Sequence, residues 1–230
     1  MTSIRTASGI TFDLFRPKAE DVRIADIAHA LARLTRYTGH GRAGMHFSVA
    51  EHSVRVCRYA MQVRPASDHE ARAWHWAALM HDAHEAYVGD VTSPLKRAMR
   101  EFVAPGDKTH FELIESSIIR AVREALQIYG GITDALMRRR DMSIAHLDRY
   151  DLEVESETAI GERVPAFEGE APVDLVGLPR LPIEGVGIDS AQAMFLSLAT
   201  ALAPTDALRD EAAQALTDLV RRVVPATSAI

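Results

Sequence analysis

The sequence is poor in cysteine and in long apolar runs. Cys57 is the only cysteine among 230 residues, which excludes an intramolecular disulfide and a thiolate-rich metal site. No apolar run approaches the length that spans a membrane, and the stretch from Met1 to Arg5 lacks the apolar core of a signal peptide. We therefore expect a cytoplasmic protein without a membrane partner.

Positive charge is also scarce. The formal net charge is -6 at pH 7, and the two signs are mixed along the chain. A nucleic-acid surface would need clustered lysine and arginine, so we expect no nucleic-acid partner. Hydrophobic residues make up 47% of the chain, enough for the core of one large domain or of a domain with an appendage.

Helical periodicity and helix-start patterns dominate what remains, and they predict an all-α fold. Residues 1–20 suit an extended arm or a short strand pair, and the stretch 162–188 is rich in proline and glycine and predicts a long irregular loop. Residues 205–230 carry an amphipathic helix that packs on the domain 1–204 or on a partner subunit. Predicted helices begin near Asp26, Val49, Ser67, Ser93, Ile114, Thr133, Asp189 and Asp206.

The stretch Met80-His81-Asp82-Ala83-His84-Glu85 reads as the last turns of a mostly apolar helix that Gly89 terminates. On such a helix His81 and Glu85 lie about 40° apart, and Asp82 lies about 100° from His81. All three could then point into one cavity, where an adjacent histidine and aspartate can share a metal ion. A lone His-Asp pair is common, however, and a buried histidine is more often hydrogen-bonded in a core.

Two further residues, each on its own predicted helix, favour a metal site over a hydrogen-bonded core histidine. His52 lies in the first turn of a helix that Ser48 and Glu51 open as a capping box; alone, it would read as a solvated residue. Asp148 lies in the middle of a long helix, where a buried carboxylate is costly unless it meets a cation. Asp151 and Glu155 lie near the same face, but a solvated acidic stripe explains all three equally well.

The order His52, His81-Asp82, Asp148 on separate helices resembles the HD-domain metal-dependent phosphohydrolases. The resemblance spans roughly residues 12–160. Within the superfamily, the chain resembles the branch of bacterial 5′-deoxynucleotidases and phage HD-type deoxynucleotide phosphohydrolases. Four stretches carry it: IADIAHAL from Ile24, RYTGH from Arg36, FSVAEHSV from Phe47 and HDAHEAYVGD from His81.

The resemblance implies an HD-domain helical bundle that holds one divalent metal ion. Two imidazoles and two carboxylates suit Mn, Co, Zn, Fe, Ni or Mg. The implied metal ligands are His52, His81, Asp82 and Asp148, and Glu85 is the implied catalytic acid or base.

The resemblance also implies substrate contacts. Arg36 would clamp a phosphate, Asp90 would accept from a sugar hydroxyl, and Lys96 would make a second phosphate contact. Tyr37 follows the arginine where the deoxynucleotidases carry a tryptophan, so the packing against base or sugar differs. Arginine and lysine at such positions are often simply solvated.

The expected function is removal of phosphate from a (deoxy)nucleoside 5′-monophosphate, in a homodimer. A deoxynucleoside triphosphate or guanosine-tetraphosphate hydrolase is the nearest alternative, because the same metal centre serves several phosphate esters. A helical module that senses a nucleotide without turnover, and an oxygenase with two irons, are further alternatives.

Overall fold

The structure is a computed structural model that describes residues 2–63, 69–128, 132–165 and 178–223, with the side chains of 132–143 excepted. Within these residues the fold is all-α, as the sequence predicts, with one small hairpin added. The hairpin pairs β1 (Ser3–Arg5) with β2 (Thr11–Asp13) in antiparallel register. Short 3-10 helices cover Ala19–Asp21 and Arg36–Gly39. The α-helices are α1 (Ile24–Leu31), α2 (Val49–Val63), α3 (His69–Leu79), α4 (Glu85–Val88), α5 (Ser93–Arg100), α6 (His110–Ala125), α7 (Ile132–Ala159), α8 (Ile188–Leu202) and α9 (Asp206–Val223).

Helix α2 runs through the centre of the molecule. One side of it packs with α1, α3 and α8 in the larger core cluster, where Val54, Cys57 and Phe195 are fully buried. The other side packs against α3 and α7 in a second cluster that contains Val56, Tyr59 and Leu147. Because α2 is enclosed on both sides, its polar residues must find partners inside the protein. These residues organise the site described below.

Helix α3 ends earlier than predicted. It stops at Leu79, and His81 and Asp82 lie in a tight turn before the one-turn helix α4, so the prediction of a continuous helix through Glu85 is wrong. Hydrogen bonds between residues three apart, such as the one from Glu85 N to Asp82 O at 2.9 Å, replace the α-helical pattern. Gly89, with φ of 80°, does terminate the segment.

The segment before α2 also differs from its predicted helical form. Helix α1 ends at Leu31, and the chain then makes a turn in which Tyr37 and Thr38 have φ of 57° and 50°. Such left-handed backbone is costly for residues other than glycine. The hydrogen bond from Arg36 N to Phe47 O, at 2.9 Å, closes this turn against the start of α2.

A segment without regular secondary structure, residues 178–187, lies across α2 and is held by a stripe of three buried side chains one helical turn apart. Glu51 accepts hydrogen bonds from the backbone of residues 184–186, Arg55 donates to the carbonyls of Leu181 and Pro182, and the Tyr59 hydroxyl accepts from Leu181 N. Ser48 caps Glu51 N at 3.2 Å, but the Glu51 carboxylate does not return to Ser48 as the predicted capping box requires. The Glu51 carboxylate thus binds the backbone of residues 184–186 instead of the backbone of Ser48.

Other predictions concern the edges of the fold. Of the extended arm and the strand pair predicted as alternatives for residues 1–20, the structure has the strand pair, and Asp26 of α1 holds its turn by accepting from Ser8 N and Ser8 Oγ, each at 2.7 Å. The helix start predicted at Ser67 and residues 166–177 of the predicted loop 162–188 lie outside the described residues. Helix α9 packs on α8 and α1 through Ala212 and Leu219. Among the described helices, none has the length and apolarity needed to cross a bilayer.

Candidate metal centre

Four side chains from separate parts of the chain converge beside α2, and we call His52, His81, Asp82 and Asp148 the four-residue cluster. His52 Nε2 lies 3.1 Å from Asp148 Oδ1, 3.6 Å from Asp82 Oδ2 and 3.3 Å from His81 Nε2. His81 Nε2 lies 3.1 Å from Asp82 Oδ2 and 4.0 Å from Asp148 Oδ1. Two ligands of one zinc-sized ion are each about 2.1 Å from it, so they lie at most about 4.2 Å apart. The five atom pairs above meet that limit, and one ligand atom each from His52, His81 and Asp148 lies within 4.8 Å of the other two.

The other ring nitrogens decide the tautomers of the two imidazoles. His81 Nδ1 lies 2.9 Å from the Ala78 carbonyl, and His52 Nδ1 lies 2.5 Å from Glu155 Oε1. Both partners are acceptors, so each Nδ1 carries the proton in the neutral ring and each Nε2 presents a lone pair. Two lone pairs and two carboxylates therefore face one another. Only protons or a cation can stabilise that arrangement, and the N/O donor set fits a divalent metal.

The acidic stripe on α7 is not a solvated face. Asp148, Asp151 and Glu155 follow one another at helical spacing, and the last two are fully buried against His52. Glu157, by contrast, is 55% exposed and pairs with Arg180. The three carboxylates thus lie on two sides of the His52 ring. Asp148 belongs to the four-residue cluster, and Asp151 and Glu155 contact the opposite side of the ring.

Two arginines, the buried Arg55 and the largely buried Arg36, pair with Asp151 and Glu155. Arg55, one turn after His52 on α2, contacts Asp151 Oδ1 through NH2 at 2.5 Å and through Nε at 3.0 Å. Arg36 contacts Glu155 Oε2 through NH2 at 3.1 Å. Each buried carboxylate thus has a guanidinium partner, which offsets much of the cost of its burial.

The electrostatics of the network follow from these pairs. Burial opposes ionisation of Glu155, but Arg36 and His52 outweigh it and lower the pKa of Glu155. Burial and the Glu155 charge raise the pKa of Asp151. Burial and Arg36 would lower the pKa of His52, yet Glu155 and the two aspartates raise it well above its ordinary value. The region attracts positive charge strongly.

Glu85 lies apart from this network and is nearly buried, with 7% of its surface exposed. Its Oε2 is enclosed and has no hydrogen-bond partner among the described residues. Burial, with the nearby charges of Asp82 and Asp90, raises the pKa of Glu85 to about 10. A buried carboxyl that holds its proton at neutral pH and has an unused oxygen is suited to proton transfer.

The residues expected to bind substrate have partners within the protein. Besides Glu155, Arg36 contacts Asp90 Oδ2 through NH1 at 3.7 Å, and the Tyr37 hydroxyl donates to Glu155 Oε2 at 3.4 Å. Arg36 Nε is buried and donates to none of the described residues. Arg36, Tyr37 and Asp90 thus form one group beside the four-residue cluster, and this group contains a buried N–H that has no acceptor among the described residues.

Lys96 lies in a different group. Its Nζ contacts Glu115 Oε1 at 2.7 Å, and His84 Nε2 lies 3.6 Å from the same oxygen. Glu115 is a carboxylate partner for His84 that the sequence does not reveal, because it belongs to α6, a helix distant along the chain. Arg36 and Lys96 are therefore not brought together by any contact among the described side chains.

A cavity of about 350 Å³ opens beside the four-residue cluster, between α3, α6 and α7. His81 and Asp148 form part of its wall. His84 and Arg123 are the other polar residues of the wall. The rest of the wall is apolar and consists of Ala77, Met80, Ile119, Val122, Ile128, Ile144 and Ala145. A small apolar cavity with a few polar groups at one end is the usual form of a small-molecule site.

Comparison with known proteins agrees with this geometry. Residues 34–120 match the family described as HD domain. The HD match includes His52, His81, Asp82 and Glu85 but ends before Asp148, so the place of this second carboxylate in the cluster rests on the structure alone. The N-terminal hairpin and helices α7 to α9 also lie outside the HD match.

Two relatives extend the comparison. An uncharacterised protein of Rhodobacter capsulatus is 39% identical over 95 residues, which are 41% of this chain and 47% of that protein. The uncharacterised protein YfdR of Escherichia coli is 29% identical over 144 residues, 63% of this chain and 74% of YfdR. The chain thus spans about half the length of the first relative, and neither name states an activity.

Sequence reasoning left the partners of His52 open. The spacing of Asp148, Asp151 and Glu155 indicates a shared helical face, but the same spacing fits a solvated stripe. Arg55, one turn after His52, carries the signal that could have indicated these partners: a basic residue near the face of His52 needs a carboxylate opposite if that face is buried. That observation could have favoured burial of the stripe.

Proposed function

We propose that the protein is a metal-dependent phosphohydrolase that removes phosphate from a (deoxy)nucleoside 5′-monophosphate. The observation that carries the proposal is the four-residue cluster, in which two imidazole lone pairs and two carboxylates face one another. His52, His81, Asp82 and Asp148 would hold the ion. A bound divalent ion lowers the pKa of a coordinated water and offsets phosphate charge. The match of residues 34–120 to the HD domain supports the same reaction class.

The protein's own residues supply the other parts of the reaction. Glu85 is buried close to Asp82 and Asp90 and has a free oxygen, which suits it to protonate the leaving oxygen or to orient the attacking water. Arg36 provides fixed positive charge in a chain of net negative charge, and its unused Nε suits a phosphate oxygen. Both groups therefore complement a phosphate ester beside the cluster.

The cavity is compatible with a compact leaving group. Its volume, about 350 Å³, lies near the lower limit for small-molecule pockets, and its wall consists mostly of aliphatic side chains. The flat face of a nucleobase can pack on such a wall, while the polar edge of the base and the sugar hydroxyls need the polar side chains or solvent. Asp90 and Lys96 already pair with Arg36 and Glu115, so they would meet a substrate only through their remaining oxygens and hydrogens.

A substrate panel tests the proposal directly. Protein stripped of metal by a chelator and refilled with Mn²⁺, Co²⁺, Zn²⁺, Ni²⁺ or Mg²⁺ is offered nucleosides at all three phosphorylation levels, with guanosine tetraphosphate. We expect free phosphate from monophosphates, and none from the stripped protein. Release of triphosphate or pyrophosphate instead would show that the substrate is a deoxynucleoside triphosphate or guanosine tetraphosphate and not a monophosphate. Metal binding without turnover of any of these substrates would overturn the enzyme assignment in favour of a nucleotide-sensing module.

A homodimer is also proposed. Leu95, Phe102 and Leu113 are large apolar side chains exposed on or beside α5 and α6, and a subunit contact would cover them. Light scattering at several concentrations measures the assembly state, and a mass of one chain throughout would exclude the dimer.

A further inference from the structure

Glu155 occupies an unusual position, because one carboxylate serves two different groups of the site. The residue is fully buried on α7. Its Oε1 lies 2.5 Å from His52 Nδ1, on the side of the ring opposite the four-residue cluster. Its Oε2 accepts from Arg36 NH2 at 3.1 Å and from the Tyr37 hydroxyl at 3.4 Å. No role in the reaction has been assigned to it so far.

We propose that Glu155 is a positioning residue that fixes the metal ligand His52 and the phosphate-binding Arg36 with one side chain. The inference rests on the proposed function, from which it takes the roles of these two residues. Glu155 itself touches neither the substrate nor the ion. Its effect passes through its two partners, so the distance between the metal and the phosphate-binding group is set by a single rigid carboxylate.

The effect on His52 follows from its ring geometry. An acceptor on Nδ1 keeps the proton there, leaves Nε2 as a lone pair, and holds the plane of the ring. Asp151 Oδ2 also lies near Nδ1, at 3.2 Å, but Arg55 binds both oxygens of Asp151. Since Nδ1 has one proton to donate, the acceptor at the shorter distance, Glu155, is the better partner. Hydrogen-bonded carboxylates of this kind commonly change metal affinity by 10- to 100-fold.

The effect on Arg36 follows from its backbone. Arg36 begins the turn in which Tyr37 and Thr38 have left-handed φ values, a conformation that needs outside support. Glu155 supplies that support twice, through the guanidinium of Arg36 and through the hydroxyl of Tyr37. Asp90 holds the guanidinium less closely, at 3.7 Å. Without Glu155 the turn loses these two side-chain hydrogen bonds to the helix that carries Asp148, and the next hydrogen bond from this part of the chain to α7 is the one from Arg42 N to Ala159 O at 2.7 Å.

The closing experiment uses Glu155→Gln in the full chain, a change that keeps the size of the side chain and removes its charge. Two quantities are measured: the dissociation constant of Mn²⁺ for stripped protein, and the constant for competitive inhibition of the metal-saturated enzyme by inorganic phosphate. The visible spectrum of the Co²⁺ form reports the ligand geometry. Thermal unfolding of each variant shows that it is folded. Glu157→Gln, on the exposed face of the same helix, is the matched control.

We expect Mn²⁺ affinity to fall 10- to 100-fold, the Co²⁺ spectrum to shift, and phosphate inhibition to weaken about tenfold, because Arg36 is no longer held. Loss of negative charge alone would strengthen phosphate binding, so tighter inhibition would overturn the Arg36 half of the inference. Unchanged Mn²⁺ affinity would overturn the His52 half.

Two further variants keep the test decisive. The first is Asp151→Asn, because Asp151 contacts the same ring nitrogen but not Arg36. This change should alter Mn²⁺ affinity and leave phosphate inhibition unchanged. An equal effect on both constants would contradict a role specific to Glu155.

The second is Glu155→Asp, which keeps the charge but has a side chain too short to reach both partners. It replaces Glu155→Gln if that variant does not fold. Wild-type constants for Glu155→Asp would overturn the proposal. Failure of the wild-type protein to bind Mn²⁺ at all would instead refute the proposed function.

Discussion

The two sides of the four-residue cluster are built in opposite ways. The inner side, where His52 faces Asp151 and Glu155, is fully buried, and each charged group meets at least one partner of opposite charge. The outer side, where His81 and Asp148 face the cavity, is open, and the side chain of Asp148 is 41% exposed. The inner side can only hold its residues in place, whereas the outer side has room for a ligand. If the proposed function is right, changes in the outer cavity wall should alter substrate affinity, whereas changes behind His52 should alter metal affinity.

The largest effect is expected within the cluster itself. Asp82→Ala removes a carboxylate that lies 3.1 Å from His81 Nε2 and 3.6 Å from His52 Nε2. We expect metal content and turnover to be lost together, because one donor atom and one of the two negative charges that offset the charge of the ion are removed. Elemental analysis and a phosphate-release assay measure both. Asp107→Ala, in an exposed loop, is the control, and full metal occupancy in Asp82→Ala would remove Asp82 from the ligands.

Glu85→Gln is expected to have the next largest effect and to affect turnover alone. The substitution keeps the shape of the side chain but removes the carboxyl proton, so kcat should fall by about 10² to 10⁴. Metal content should equal that of the wild-type protein, since Glu85 is not a proposed ligand. Glu101→Gln, which is exposed, serves as the control. A near-normal kcat in Glu85→Gln would assign proton transfer to another residue.

Filling the outer side should impair substrate binding without impairing metal binding. Ile119→Trp places a larger side chain in the cavity wall, and we expect KM to rise about tenfold or more by steric exclusion. Ile119→Val is the matched small change and should leave KM within a few-fold. If Ile119→Trp lowers Mn²⁺ affinity as strongly as it raises KM, the two sides of the cluster are not independent.

The smallest effect on the chemistry is expected at the far end of the inner side, where Glu51 holds the segment 178–187. Glu51→Gln weakens hydrogen bonds from the backbone of residues 184–186, and we expect a loss of about 1–3 kcal/mol in the free energy of unfolding. Denaturation with and without Mn²⁺ measures it, and Glu124→Gln on the surface of α6 is the control. A change in metal affinity comparable to that of Asp151→Asn would show that the segment supports the cluster directly.

Much of the architecture was predictable from local patterns. Amphipathic spacing identified the long helices, Gly89 ended α4, and the short strand pair was foreseen in residues 1–20. The errors fall where tertiary contacts compete with local preference. The turn at His81 and Asp82 interrupts a segment of helical pattern, and the Glu51 carboxylate binds the 178–187 backbone instead of closing a capping box.

The sequence by itself determined the class of fold and the kinds of donor atoms available, because helical periodicity and residue chemistry are local properties. It also brought out His52, the His81-Asp82 pair and Asp148 as candidates. Only the tertiary structure decided which carboxylates are buried, since Asp148, Asp151 and Glu155 share a helical face whether or not another helix covers it. The packing of α7 on α2 supplies that cover. Burial then forces each charge to find a partner, which turned an acidic stripe into a support for His52 and Arg36.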